Sequence, residues 1–124
     1  MSPMPTIHRN NYVLAVHDVR KSADFYVSVL GFTVVDEPPG WIFVKKDSCL
    51  IMLGECPDDM APSELGCHNY FAYLQVSSAD EYHTAIQAAG GQILSPLEDK
   101  PWNMREFSVQ TVDGHRITFG QPID

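Results

Sequence analysis

Ser22-Ala23-Asp24-Phe25-Tyr26 and Ser78-Ala79-Asp80-Glu81-Tyr82 decide the fold, because each follows an Asn-Tyr pair and a short apolar run, Asn11-Tyr12 in one case and Asn69-Tyr70 in the other. A second pair of matching segments closes the two halves. Asp47-Ser48-Cys49-Leu50-Ile51-Met52-Leu53-Gly54 aligns with Asp113-Gly114-His115-Arg116-Ile117-Thr118-Phe119-Gly120, sharing the first residue, the central Ile and the final Gly. Matches in the same order at both ends of each half point to a duplicated unit.

Local signals give the unit its element order. Residues 12–16 and 70–76 are rich in aromatic and β-branched side chains and short enough for strands. Ala23, Tyr26, Val27 and Leu30 fall at i, i+3, i+4 and i+7, one apolar helical face, and Gly31 stands where a C-terminal cap belongs. In the second half Ser78 with Glu81 reads as a capping box, Tyr82, Ala85, Ile86 and Ala89 as the stripe, and Gly90-Gly91 as the stop. Three short strands follow each helix, at 33–36, 41–45 and 49–53, then at 92–94, 106–112 and 116–119. Val112-Asp113-Gly114-His115 is expected to be a two-residue Asp-Gly hairpin. The expected fold class is α+β, one domain of two tandem β-α-β-β-β modules, 7–54 and 69–121, joined by a polar linker at 55–68 that could let modules pair between chains.

Composition narrows the function. The chain has 124 residues, 44% of them apolar, enough for a core without disulfides. Eight basic residues stand against 16 acidic ones, a net charge of −8 that disfavours nucleic acid and anionic membrane as partners and favours cationic ligands. No apolar run approaches the roughly 18 residues of a membrane span, and no leader is legible at the N-terminus, so a cytoplasmic location is expected. Cys49, Cys56 and Cys67 are odd in number and in no C-x-x-C spacing, so they read as reduced thiols.

Asp18-Val19-x-x-Ser22-x-x-Phe25-Tyr26-x-x-x-Leu30-Gly31-Phe32, within the doubled β-α-β-β-β order, resembles the vicinal-oxygen-chelate superfamily, which includes glyoxalase I, ring-cleaving dioxygenases and bleomycin-resistance proteins. The resemblance runs from Ile7 to Gln121. Pro101-Trp102-Asn103-Met104-Arg105-Glu106-Phe107, followed by Asp113-Gly114 and Ile117-x-Phe119, is similar to the closing segment of the bleomycin-resistance branch, which the resemblance implies binds a drug without transforming it. In catalytic members a divalent metal sits between the first and last strands of each unit, on histidines and glutamates. The corresponding positions here are Asn11, Met52, Phe71 and Thr118, none of them an imidazole or a carboxylate.

The expectation is therefore a metal-free, cofactor-free protein that sequesters a hydrophobic or cationic aromatic small molecule, as a homodimer. Alternation places Tyr73 and Gln75 on one inward face with Phe71, and Arg116 with Thr118, while Trp41 and Phe43 share a face of undetermined direction. Trp102, on the Lys100-Pro101-Trp102-Asn103 loop, Met104 and Arg105 are expected at the rim, with pairing of Arg105 to Glu106 or Asp99 as the alternative. His17, His83 and His115 are expected at the surface and His68 near a strand mouth. The alternatives are a metal-dependent lyase, isomerase or dioxygenase, with His68 or Glu106 as an acid or base, and a dimeric module without a small ligand.

Overall fold

The computed structural model describes residues 4–123. Its elements run β1 (Tyr12–Val16), α1 (Val19–Ser28), β2 (Thr33–Asp36), β3 (Trp41–Lys46) and β4 (Cys49–Glu55), then a kinked 3-10 segment (Pro62–Asn69). The second half repeats the order with β5 (Tyr70–Gln75), α2 (Ala79–Ala88), β6 (Gln92–Lys100), β7 (Met104–Gln110) and β8 (Arg116–Pro122). Each half forms one four-stranded mixed sheet, β1-β4-β3-β2 and β5-β8-β7-β6, with the first strand parallel to the last and the others antiparallel. The fold is thus α+β with the doubled module. Part of the expected linker is structured: Glu55 ends β4, and the 3-10 segment occupies 62–69.

Identical devices hold each helix to its sheet. Asp18 caps α1 by accepting a hydrogen bond from Lys21 N (3.1 Å), and Ser78 caps α2 by accepting one from Glu81 N (3.2 Å). These satisfy amide groups that a helix start leaves unpaired. The last strand of each module adds another acceptor: Glu55 Oε2 takes the Val19 amide and Gln121 Oε1 takes the Ala79 amide. The residue after each matched glycine, Gly54 or Gly120, therefore ties strand to helix.

Strand alternation then sorts the side chains. Leu14, Val16, Ile42, Val44, Ile51 and Leu53 face α1, and Phe107, Val109, Ile117 and Phe119 are buried in the other half, all in one continuous core. The halves are also joined by polar contacts. Tyr82 Oη donates to Leu30 O, and the buried Ser22 Oγ donates to the Asp113 carboxylate (2.8 Å). Burial pushes the Asp113 carboxyl up, against the opposing effect of the Ser22 hydrogen bond.

Several expectations change here. The α1 stripe is Ser22, Ala23, Tyr26 and Leu30, with Val27 42% exposed, because Ser22 finds its partners inside the fold. In α2 Ile86 is buried while Ala85 and Ala89 are exposed. The β7–β8 connection is a three-residue loop: Thr111 N donates to His115 O (2.8 Å), with Gly114 left-handed at φ +99.

Candidate functional site

Each sheet has a second face, away from its helix, that the described residues cover only in part. On the first sheet the register sets Val13, Met52 and Phe43 in one row across three strands and Ala15, Gly54 and Trp41 in the next. Trp41 and Phe43 meet edge to face at 6.2 Å. A Cβ on Gly54 would lie 2.9 Å from the Trp41 ring, so the glycine lets the indole lie against the strand. A cavity of about 360 Å³ is lined here by Val13, Ala15, Trp41 and Gly54.

On the second sheet the open face carries Tyr73, Thr118 and Ser108 in one row, with Gly120 and Glu106 in the adjoining row. Two side chains converge on a single carboxylate. Glu106 Oε2 accepts a hydrogen bond from Tyr73 Oη (2.7 Å) and another from Trp102 Nε1 (2.8 Å), while Ser108 and Thr118 hydroxyls are 3.1 Å apart. Trp102 reaches back because Asn103, left-handed at φ +62, closes the tight turn with its amide on Lys100 O. Burial first, then the bond to Glu106, pushes the Tyr73 phenol up to about 12. A cavity of about 240 Å³ opens over this face, lined by Tyr70, Lys100, Trp102, Glu106, Ser108 and Thr118 among others.

Gly120 lies under the Tyr73 ring, where an added Cβ would stand 2.6 Å from Cζ. Gly120→Ala must push the phenol off its seat and break the bond to Glu106. The expected loss is about 1–2 kcal/mol in chemical denaturation; an unchanged midpoint would show that the ring is not seated on this glycine.

The structure rearranges other expected positions. A bulge between Tyr70 and Ala72 puts Tyr70 opposite Arg116 and takes Phe71 out of the row of Tyr73. Phe71 instead packs edge-on against Tyr12 (5.7 Å) and His115 (5.6 Å), and the Arg116 guanidinium lies over the Tyr70 ring at 5.1 Å. Arg105 does not line the open face. It pairs with Asp99 (2.8 Å) and Asp80 (3.0 Å) on the helix side, while Met104 takes the open face at the end of β7.

Asn11 is exposed just before β1, Met52 belongs to the first sheet and Thr118 to the second, so the four positions corresponding to the metal ligands of catalytic relatives are spread apart within the chain. Their donor set does not fit a divalent ion. Among the described residues no three His, Cys, Asp or Glu side chains are grouped to hold one. His17 is exposed, its Nε2 2.6 Å from Asp59 O, and His68 is exposed. The other two are not at the surface: His83 is half-buried against Phe107 (5.1 Å) and His115 is buried. Glu106 as an organising carboxylate went unforeseen; its place on the open face of β7 was the only available signal.

Comparison with known proteins agrees with this architecture. The sequence model of the Glyoxalase/Bleomycin resistance protein/Dioxygenase superfamily matches residues 8–119. A bleomycin resistance protein of Geobacillus stearothermophilus is 31% identical over 125 residues, covering 89% of this chain and 93% of that one. TnmS3, an antibiotic-binding protein from Streptomyces sp. CB03234, superposes with a TM-score of 0.79 at 25% identity, over 97% of this chain and 99% of that one. The bleomycin-binding protein of Streptomyces verticillus, solved with copper(II)-bleomycin, shares the fold at a TM-score of 0.74 and 20% identity, over 94% and 97% of the two chains. The doubled module and the family match over 8–119 place the chain in the glyoxalase/bleomycin resistance protein/dioxygenase superfamily.

Proposed function

We propose that the protein is a metal-free binding protein of the bleomycin-resistance type, which sequesters a hydrophobic or cationic aromatic molecule without converting it. One observation carries the reading: the described residues leave two sheet faces only partly covered, one bearing Trp41, Phe43 and Met52, the other Tyr70, Tyr73, Trp102 and Thr118. Tyr73 is 46% and Trp102 59% exposed. Exposed aromatic surface rimmed by polar groups marks an interaction site. A homodimer that lays the first face of one chain over the second face of its partner makes two equivalent clefts with aromatic side chains on both walls. Each well-placed aromatic adds about 0.5–1.5 kcal/mol to its burial energy. A cytoplasmic setting accords with three unpaired cysteines.

Light scattering, metal analysis and thermal unfolding with bleomycin test the reading together. Expected are a dimer, less than a stoichiometric amount of bound divalent metal, and stabilisation of roughly 2.7 kcal/mol at a ligand concentration 100 times the dissociation constant. One tightly held divalent ion per chain would favour the enzyme alternative and reject this one. A panel of aromatic drugs, bleomycin included, that leaves the melting temperature unmoved would leave a dimeric module without a small ligand.

A further inference from the structure

A further cavity, of about 460 Å³, lies between β1, the 3-10 segment and the start of β5. Val13, Ala15, Met60, Pro62, Leu65 and Phe71 give it apolar sides, and two polar side chains, Asn69 and His115, belong to the same wall. It shares only Tyr70 with the cavity over Glu106 and meets the Trp41 cavity only at Val13 and Ala15. Both polar side chains are more than nine-tenths buried, with 3% of Asn69 and 8% of His115 exposed. Asn69 Nδ2 donates to Gly114 O (2.8 Å), which leaves Oδ1 enclosed and without a donor. His115 is tied to Thr111 through its backbone alone. In its ring Nδ1 is enclosed and unpaired, and Nε2 has no hydrogen-bond partner among the described residues. Nε2 is not one of the enclosed atoms, so it is the nitrogen a ligand can reach.

The chemistry of this wall selects a neutral head group. Burial keeps the His115 ring uncharged by lowering its pKa to about 4. A neutral imidazole presents either an N–H or a lone pair at Nε2, according to its tautomer. A hydroxyl suits both, because it donates as well as accepts. The carboxylate at this cavity, Asp59, is exposed and its Oδ1 already accepts from the Met60 amide (2.8 Å), so a cation entering here gains no buried counter-charge. No Lys or Arg lines the cavity among the described residues, so an anion gains none either. A single water satisfies a nitrogen but takes up only about 30 Å³, which leaves most of an apolar-sided space of this size unfilled.

We propose that this cavity is a second binding site, for a small neutral molecule with one hydroxyl on an apolar body, a phenol or an alkanol, whose hydroxyl bonds His115 Nε2 while its body lies against Met60, Leu65 and Phe71. Asn69 is a positioning residue, holding the loop of His115 to the 3-10 segment through Gly114 O. The site is additional to the clefts on the two sheet faces and stands or falls apart from them.

The test uses p-cresol and p-fluorotoluene, close in size, one carrying a hydroxyl where the other carries fluorine. Each is titrated by NMR against the wild type and against His115→Phe, a change that keeps a ring packed on Phe71. The wild type is expected to prefer p-cresol roughly fivefold or more, and p-cresol alone is expected to move the ring nitrogen signals of His115. In His115→Phe the preference disappears, while p-fluorotoluene binds within about threefold of its wild-type affinity. The His115 nitrogen signals of the wild type give a readout even if the variant folds poorly. Equal affinity of the wild type for both compounds overturns the assignment, as do His115 signals that stay in place. A preference retained by His115→Phe puts the hydroxyl on another group and overturns it as well. Binding of neither compound overturns it and leaves a cavity that holds only solvent. None of these results bears on the sheet faces, whose binding role the bleomycin thermal assay decides.

Discussion

Phe119→Ala is expected to cost about 3–5 kcal/mol, the range for removing a fully buried aromatic side chain, and to lower the melting temperature by roughly 10–20 °C. Phe119 is completely buried on β8, the strand between β5 and β7. Its ring stacks on Phe107 (5.1 Å between centroids, 23° between planes) and meets Tyr82 edge-on at 4.8 Å. Removing it opens a cavity beneath three elements at once, and backbone hydrogen bonds of the sheet keep the strands from closing it. Tyr82 also donates its hydroxyl to Leu30 O in the first module, so loosening it weakens the seam between halves. The other face of β8 carries Thr118 and Gly120, the floor under Tyr73 and Glu106. Ligand affinity should therefore fall with stability in Phe119→Ala, whereas Phe119→Leu, closer in volume, should recover most of both. Urea unfolding of the two variants beside the wild type checks this; a loss under about 1 kcal/mol for the alanine variant would contradict the tight packing around this ring.

What the sequence made legible follows from how local each signal is. The capping role of Ser78 depends on residues three apart, and the structure forms its bond to the Glu81 amide. The order of elements along the chain follows from short aromatic and β-branched runs and from Asp-to-Gly segments whose strands are β4 and β8. The direction in which Trp41 and Phe43 point was not legible, because a six-residue strand with apolar side chains on both faces has no preferred side until its helix is placed. Phe71 was misassigned for a related reason: period-two counting assumes an unbroken ladder, and the bulge at Tyr70 to Ala72 inserts one residue. Ser22 lies outside the apolar stripe read from the sequence, and its partner Asp113 comes from the opposite module, 91 residues away. Glu106 shows the same limit. Its two donors are four and 33 residues distant, and no local pattern announces that they reach one oxygen atom.

The stability of the protein should fall on acidification through a single buried histidine. His115 follows the β7–β8 loop, a position that reads as surface, but only 8% of it is exposed. Its backbone is held to Thr111 on both sides, its ring lies against Phe71, and Nδ1 is enclosed without a partner. Burial lowers its pKa from 6.5 to about 4. The folded state therefore resists the proton that the unfolded chain accepts near pH 6.5, so stability is fully present above that pH and declines as pH falls toward 4. The full difference corresponds to roughly 3 kcal/mol, at about 1.4 kcal/mol per pH unit where the slope is steepest. Asp113 acts in the opposite sense, since burial raises its folded pKa and protonation then favours the folded state. Comparing the wild type with His115→Phe at each pH cancels that contribution and those of the other carboxylates. The wild type should lose about 3 kcal/mol relative to the variant between pH 7 and pH 4 in urea unfolding. A difference that stays constant across this range would mean that His115 is protonated as readily in the folded chain as in the unfolded one, and that the loop opens to water around it.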